Sequence, residues 1–548
     1  MAVPEPGTRP RAAGERMADW ADGRLPLYEA ARTALRKGFP DHWSFLLGEL
    51  ALYSFAVLVL TGVFLTFFFD PSMAQLVYDG SYQPLRGVTM SRAYATTLEL
   101  SFDVRGGLLV RQIHHWAALI FVASIAVHLL RVFLTGAFRR PREVNWAVGV
   151  TMFLLAMVEG FAGYSLPDDL LSGTGLRTAQ GIMLSVPVVG TYASFLAFGG
   201  QFPGEDVLSR LYGLHILVLP GLLLALVTVH LTLIVHLKHT QWAGRGRTGR
   251  DSVGPPALPR YLAKSGGLFF LTFGVLAVLG AIGQINPVWN YGPYRADQVS
   301  TDAQPDWYVG FLEGALRLMP GAETDLLGHT VSWNPLLPAV VLPGLLFLAL
   351  YAYPFAERWI TPGGGERHLC DRPRDRPVRT ALCVAGVTAY AVLLLAGAQD
   401  VIAYVFDLPL PPLTWALRIG LVVLPLAGFR VTRLLCLGLQ EREGRWLTDG
   451  QETGEVRQSV DGGYAPRHRP LSPDRRYTAL ARELPGPLES EPRPDDSAPR
   501  PRVRSGRWVR WARTRLSAWY YADRAGDTLT EEQHERVLAG PTRRPEDG

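Results

Sequence analysis

From about residue 44 to residue 438 the chain alternates long apolar runs with short polar loops, and no other feature constrains its fold as tightly. About 20 apolar residues cross a bilayer as a helix. In hydrocarbon, backbone polar groups must be satisfied within the protein, so only helices and closed barrels span. Eight runs are legible, at roughly 44–69, 109–135, 145–166, 210–238, 266–285, 335–354, 379–398 and 413–438. The expected fold is an all-α polytopic membrane protein with eight transmembrane helices. About 40 residues before the runs and about 110 after them are polar and rich in Arg and Pro. The opening stretch has no short apolar core ahead of a small-residue cleavage site, so no cleavable signal peptide is expected.

Charge sets the orientation. Lys and Arg crowd alternate loops: Arg139, Arg140 and Arg142 after the second run, Lys238, Arg245, Arg247 and Arg250 after the fourth, and Arg367, Arg372, Arg374 and Arg376 after the sixth. The intervening loops are acidic, with Asp168, Asp169, Glu205 and Asp206, then Asp297, Asp302 and Asp306. The positive-inside rule makes the basic side, and both termini, cytoplasmic. The net charge of +5 then reflects loop asymmetry and contact with the bilayer surface, and no nucleic-acid partner is expected. The three cysteines, Cys370, Cys383 and Cys436, form no Cys-x-x-Cys, which disfavours thiolate clusters and covalent c-type haem.

Two of the runs carry histidines near both ends. His114 and His128 are 14 residues apart, and His215 and His230 are 15 apart. At about 100° per residue each pair returns to within roughly 40–60° of one helix face, about 21 Å apart along the axis. Two such helices side by side offer an imidazole pair near each membrane surface, which is what a six-coordinate haem iron takes. His115 falls on roughly the opposite face from His128, so it is a neighbour and not a ligand. The bland alternative, histidines bridging helices by hydrogen bonds, accounts less readily for two pairs at matching depths. Gly48 and Gly62 in the first run, and Gly149 and Gly163 in the third, repeat the 14-residue interval. Lacking a Cβ, they could let flat porphyrins approach, or could serve ordinary small-residue packing. The first four helices are thus expected to form a dihaem bundle. Arg111 and Arg131 flank the second run where haem propionates would meet water, and an Arg fork suits carboxylates. Arg131 also fits simple snorkelling.

The expected outer loops hold a second signal. Gly163, Tyr164, Ser165, Leu166 and Pro167 precede Asp168, and 170–209 is too broken to span, so short surface helices are expected there. Gln304, Pro305, Asp306, Trp307 and Tyr308 form another motif. Pro305 is expected to open a helix as its first residue, with Asp306 in the first turn. A carboxylate beside an apolar pocket can accept a proton near neutral pH. Interfacial aromatic anchoring is the alternative.

Together, the paired histidines, the paired glycines, Gly-Tyr-x-Leu-Pro and Pro-Asp-Trp-Tyr resemble cytochrome b of the cytochrome bc family, over about residues 40–438. The resemblance implies a quinol:cytochrome c reductase that contributes to proton-motive force. It implies two haems b, the outer of low potential on His114 and His215, the inner of high potential on His128 and His230. Asp306 would take a quinol proton and Tyr308 would position the head group. The family usually has Glu at position 306, and one residue fewer between the histidines of the fourth span. A π-bulge or Pro kink between His215 and Pro220 would absorb the extra residue. The acidic motifs and long tail resemble the actinobacterial branch. That branch implies menaquinol as substrate and a plasma-membrane location. Its partners would be a Rieske iron–sulfur protein, a dihaem cytochrome c, an aa3-type oxidase and a second copy of the chain. His236, Lys238 and His239 are candidates for the inner quinone site, or simply cations near headgroups.

The expected organisation is an N-terminal segment 1–43, a dihaem bundle 44–240, a second membrane domain 241–440 and a cytoplasmic tail 441–548. Residues 440–505 are expected to be irregular. Within 506–522, Trp508, Trp511, Leu516 and Trp519 fall broadly on one helix side, which suits the anionic inner leaflet or a partner subunit equally. Two competing classes remain open. A haem-b anchor of a dehydrogenase needs only four or five spans, and a proton-coupled transporter should show internal repeats.

Overall fold

A computed structural model describes residues 38–480, with breaks at 245, 248, 250–251, 299–303, 327 and 364, and also residues 20, 23–24, 486–488 and 506–521. Arg245, Arg250, Asp302 and most of the segment 1–43 therefore lie outside the described residues, as does 522–548.

Among the described residues, eight helices are long and apolar enough to cross a membrane: Trp43–Thr66, Gly107–Thr135, Glu143–Tyr164, Val207–Leu237, Pro259–Ile282, Trp333–Ile360, Pro377–Gly397 and Leu410–Thr448. They are called the first to eighth spans here. The eighth outruns its expected end at 438, because Gln440, Glu441, Arg442 and Glu443 keep the helix going beyond its apolar part. Glu443 is held there by Arg372, 2.5 Å away, and Arg374, 2.9 Å away. The second span starts after Gly106 and stops at Gly136, both in the left-handed region, where a Cβ is penalised. In the fourth span Leu214–Val218 forms a π-helical turn immediately before Pro220. The extra residue between the histidines is absorbed there.

The first span packs closely on the second, and the third on the fourth. The fifth span braces the first two, the sixth lies against the third, and the seventh and eighth pack together. Cavities occupy the space between the two halves of the four-helix bundle, at two levels. At the acidic end, short helices Leu170–Leu184 and Gly190–Phe198 lie over the bundle, as expected for 170–209. A further helix, Arg92–Phe102, buries Tyr94, whose hydroxyl donates to the Val288 carbonyl at 3.0 Å.

The all-α membrane fold stands, with short strands only outside its spans. The connections contain antiparallel hairpins, Gln75–Val77 with Thr89–Ser91 and Glu323–Leu326 with His329–Ser332. One expectation needs correcting: the tail after residue 440 is more ordered than its composition implied. It continues the eighth span, then forms a hairpin, Gln451–Gln458 with Tyr464–Arg469, and a helix, Pro473–Leu480. Gly462 has φ 81° in the hairpin turn, a conformation that glycine adopts at no steric cost.

Candidate functional site

The two histidine pairs meet across the gap in the bundle. The ring centroids of His114 and His215 are 6.1 Å apart, and those of His128 and His230 are 6.5 Å apart. An imidazole–metal bond of about 2 Å on either side of an iron calls for centroids about 6 Å apart. The spacing therefore fits bis-imidazole ligation at both levels.

At the first level the rings are held from behind. Thr61 Oγ1 lies 2.9 Å from His114 Nδ1, and His215 Nδ1 is 3.2 Å from the Glu159 carbonyl and 3.1 Å from its carboxylate. Fixing Nδ1 leaves Nε2 as the remaining ligating nitrogen. Glu159 went unnoticed in the sequence reading. An acid inside an apolar run was the available signal, since intramembrane ionisable groups are functional candidates. At the second level no side chain among the described residues hydrogen-bonds to the buried Nδ1 of His128 or His230, and the Asn145 backbone is the polar neighbour of His230.

Three of the four glycines stand against these rings. A Cβ at Gly48 would lie 3.1 Å from the His128 ring, and one at Gly62 would lie 3.3 Å from the His114 ring. A Cβ at Gly163 would collide with His215. Gly149 differs: its nearest neighbour is Leu129, at an ordinary 3.6 Å, although it lines the second cavity. Arg111 donates to the Asn286 carbonyl at 3.0 Å and lines the first cavity. Arg131 lies 4.2 Å over the Phe45 ring, reaches Cys370 Sγ at 3.8 Å and lines the second. The Nε atoms of both arginines are buried without a partner among the described residues. Cavities of about 270 and 470 Å³, walled by paired imidazoles, close glycines and arginines with unused donors, fit a haem at each level.

Asp306, Tyr308 and His115 share the first cavity with His114 and His215. The helix containing the motif begins at Trp307, so Asp306 is its N-cap and Pro305 precedes the cap. That corrects the expected register. Asp306 has extended ψ, 141°, and its carboxylate caps no backbone N–H. It instead accepts from His115 Nε2 at 3.1 Å and from the Tyr308 hydroxyl at 3.0 Å. Burial and the adjacent carboxylate hold the Tyr308 phenol well above its ordinary range, so it remains a donor. Tyr308 fits only because Gly160 has no side chain, since a Cβ there would strike the phenol oxygen. His115, set aside as a ligand, is thus a partner of Asp306. No spacing rule links residues 191 apart in sequence.

The loop below Tyr164 is anchored by acids. Asp169 is fully buried and caps Leu170–Leu184, accepting from Leu171 N at 3.1 Å and Ser172 N at 3.3 Å. Asp168 has φ 55° and is 8% exposed, and burial pushes its carboxyl up to about 7.

Of the inner-site candidates, His239 and Lys238 line the second cavity. His236 is exposed and does not line it. Four side chains that no sequence motif marks, Phe39, Tyr261, Glu49 and Ser265, run in a chain of contacts from His239. Phe39 packs on His239 at 4.9 Å and stacks on Tyr261 at 4.5 Å. Tyr261 donates to the Glu49 carboxylate, which also accepts from Ser265 Oγ at 2.7 Å. Glu49 and Tyr261 both line the second cavity.

An all-helical, multi-pass bundle with two stacked imidazole pairs defines the class of a membrane-embedded cytochrome. The description cytochrome b (N-terminal)/b6/petB matches residues 119–293. The chain is 52% identical over 529 residues to the cytochrome bc1 complex cytochrome b subunit of Streptomyces coelicolor, covering 96% of each. It is 51% identical over 459 residues to the corresponding subunit of Mycobacterium leprae, covering 84% of this chain and 83% of that one. Its fold matches a chain of a hyperthermophilic respiratory Complex III with a TM-score of 0.57 at 22% identity, over 76% of this chain and 98% of that one. The chain belongs to the family of cytochrome bc1 complex cytochrome b subunits. It is therefore a membrane electron-transport protein of the oxidoreductase class, and the family implies haem b. The dehydrogenase-anchor and transporter readings lose their support.

Proposed function

We propose that this chain is the dihaem cytochrome b of a quinol:cytochrome c reductase, and that it oxidises quinol at the Asp306–Tyr308 edge of the first cavity, beside the space between His114 and His215. The observation that carries this reading is the Asp306 carboxylate, placed between His115 Nε2 and the Tyr308 hydroxyl on that cavity's wall. Two haems b, held by His114 with His215 and by His128 with His230, supply one-electron carriers at two depths. Arg111 and Arg131 would hold the haem carboxylates through their unused donors, and the close glycines of the first and third spans would leave room for the rings. Asp306 accepts a proton from the quinol hydroxyl, and Tyr308 donates to the head group or to Asp306. The His239–Tyr261–Glu49 edge of the second cavity takes a quinone, beside the space between His128 and His230; Glu49 is a proton source there.

The loop arginines make the His128–His230 side cytoplasmic and the Asp306 side outer, so the two reactions add to proton-motive force. The reductant is menaquinol and the location the plasma membrane, as the resemblance to the actinobacterial branch implies. The relatives are subunits of a bc1 complex, and the partners are those the resemblance implies: a Rieske iron–sulfur protein, a cytochrome c subunit, an aa3-type oxidase and a second copy of the chain. The test is haem b per polypeptide in detergent, with a reduced-minus-oxidised spectrum, followed by menaquinol oxidation. Two haems per chain and a quinol-reducible spectrum are expected. A folded chain without haem would overturn the proposal.

A further inference from the structure

The helix Arg507–Tyr521 docks on this chain's own spans by one face. Ser517, Tyr520 and Tyr521 are buried. The Tyr520 hydroxyl donates to Glu357 at 2.8 Å and lies 2.9 Å from the Tyr353 hydroxyl. Tyr521 meets Thr361 at 2.6 Å, and Arg513 donates to the Trp359 carbonyl at 2.6 Å. The anchor is firm, because Glu357 is paired with the fully buried Arg379 at 3.2 Å.

These contacts set the depth of the helix. Thr361 follows the end of the sixth span at Ile360, whereas Tyr353 lies seven residues inside it. Seven residues of helix rise about 10 Å. Tyr521 and Arg513 therefore hold the helix at the basic end of the spans, where an interfacial helix lies, while the Tyr520 side chain reaches inward to Tyr353.

The opposite face is aromatic and basic. At about 100° per residue, Trp508, Trp511, Arg515 and Trp519 cluster roughly opposite Ser517. Trp508 is 77% exposed, Trp511 56% and Trp519 50%, against 7% for Tyr520 and Tyr521. Arg507, Arg510 and Arg515 are exposed, and residues 506–521 contain no Asp or Glu. Indole rings partition to headgroup level, and each arginine near an anionic surface adds attraction.

We propose that this helix is an anionic-phospholipid clamp: its Tyr520–Tyr521 end locks onto the sixth span, its Trp508–Trp511–Trp519 face with Arg515 meets the leaflet, and Arg507 and Arg510, exposed at its N-terminal end but off that face, add attraction to the acidic headgroups. The inference is independent of the redox reading, because it uses no residue of either cavity.

Hydrogen exchange of the peptide 507–516 tests it, with the full-length haem-loaded protein in nanodiscs of phosphatidylcholine alone or with added phosphatidylglycerol. Exchange about tenfold slower in the anionic discs is expected, with the difference erased by high salt. The triple substitution Arg507→Gln, Arg510→Gln and Arg515→Gln should abolish the lipid dependence and leave the haem spectrum unchanged. The salt titration of the unsubstituted protein gives the same readout, so a misfolded variant does not leave the question open. Equal exchange in both lipids would overturn the proposal. So would protection that appears only when a partner subunit is added, whatever the lipid.

Discussion

The two cavities are built from the same parts and then diverge. Each has two imidazoles, at least one close glycine and an arginine with an unused donor. At the first level the histidines are braced by Thr61 and Glu159, and the wall carries His115, Asp306 and Tyr308. At the second level no side chain among the described residues braces His128 or His230 at Nδ1, and the cavity is larger. Its acid, Glu49, faces Tyr261 and Ser265 instead of a histidine. The contrast teaches that the ligand pairs carry the shared task, while the groups around them separate the tasks of the two ends. A rigid, acid-lined first cavity suits proton removal from a bound quinol.

The largest effect should come from the ligands. His128→Ala or His230→Ala is expected to halve haem content, from two to one per chain, and to leave the other level's spectrum intact. Loss of both haems in a folded variant would show that the levels are not independent. Next is Asp306→Asn, which keeps the hydrogen-bonding shape but removes the base. Quinol oxidation should fall by about 10²-fold or more, the usual contribution of a positioned general base, with both haems retained. If haem were lost instead, Asp306 would have a structural role.

A third, smaller effect separates the levels directly. Glu159→Gln removes the negative charge behind His215 and makes that ligand a weaker electron donor. The midpoint potential of the haem at that level should rise by some tens of millivolts, and the other should not move. Redox titration followed at the two haem bands checks this. Equal shifts in both would break the comparison.

Periodicity carries most of the fold and the ligands here, and tertiary contact carries the rest. His114, His128, His215 and His230 announce themselves by helical spacing, and the π turn before Pro220 follows from counting one residue too many. His115 could be excluded as a ligand by the same geometry, but its bond to Asp306 joins the second span to a loop between the fifth and sixth. Glu49, Tyr261 and Ser265 likewise become one group only when the first span meets the fifth. His236 shows the converse error: it sits in the right stretch of sequence but on the exposed face of its helix. The tail was misread because charge was taken for disorder. Its arginines and acids are partly paired, as Glu443 is with Arg372 and Arg374.

The smallest expected effect concerns pH, and it again sets the two ends apart. Near the first cavity, burial lifts the Asp168 carboxyl to about 7. A raised acid pKa means the folded state holds a proton that the unfolded chain has released, so stability falls as pH rises from about 4 towards 7 and then levels off. At the basic end, Asp371 is held below the usual carboxylate range, because Arg139, Arg376 and Arg379 surround it and outweigh its burial. A depressed acid pKa gives stability that is fully present above about 4 and is lost only in stronger acid. Between pH 5 and 7 the segment around Asp168 should therefore loosen by on the order of 1 kcal/mol per pH unit, while the segment around Asp371 stays constant. Hydrogen exchange of 166–172 and 369–379 across that range measures both. After correction for intrinsic exchange, protection should decline in the first and stay flat in the second, and Asp168→Asn should flatten the first. A pH-independent 166–172 in the unsubstituted chain would mean that water or a neighbouring group solvates Asp168 well enough to keep it ionised, and the asymmetry between the two ends would then lie in the cavities alone.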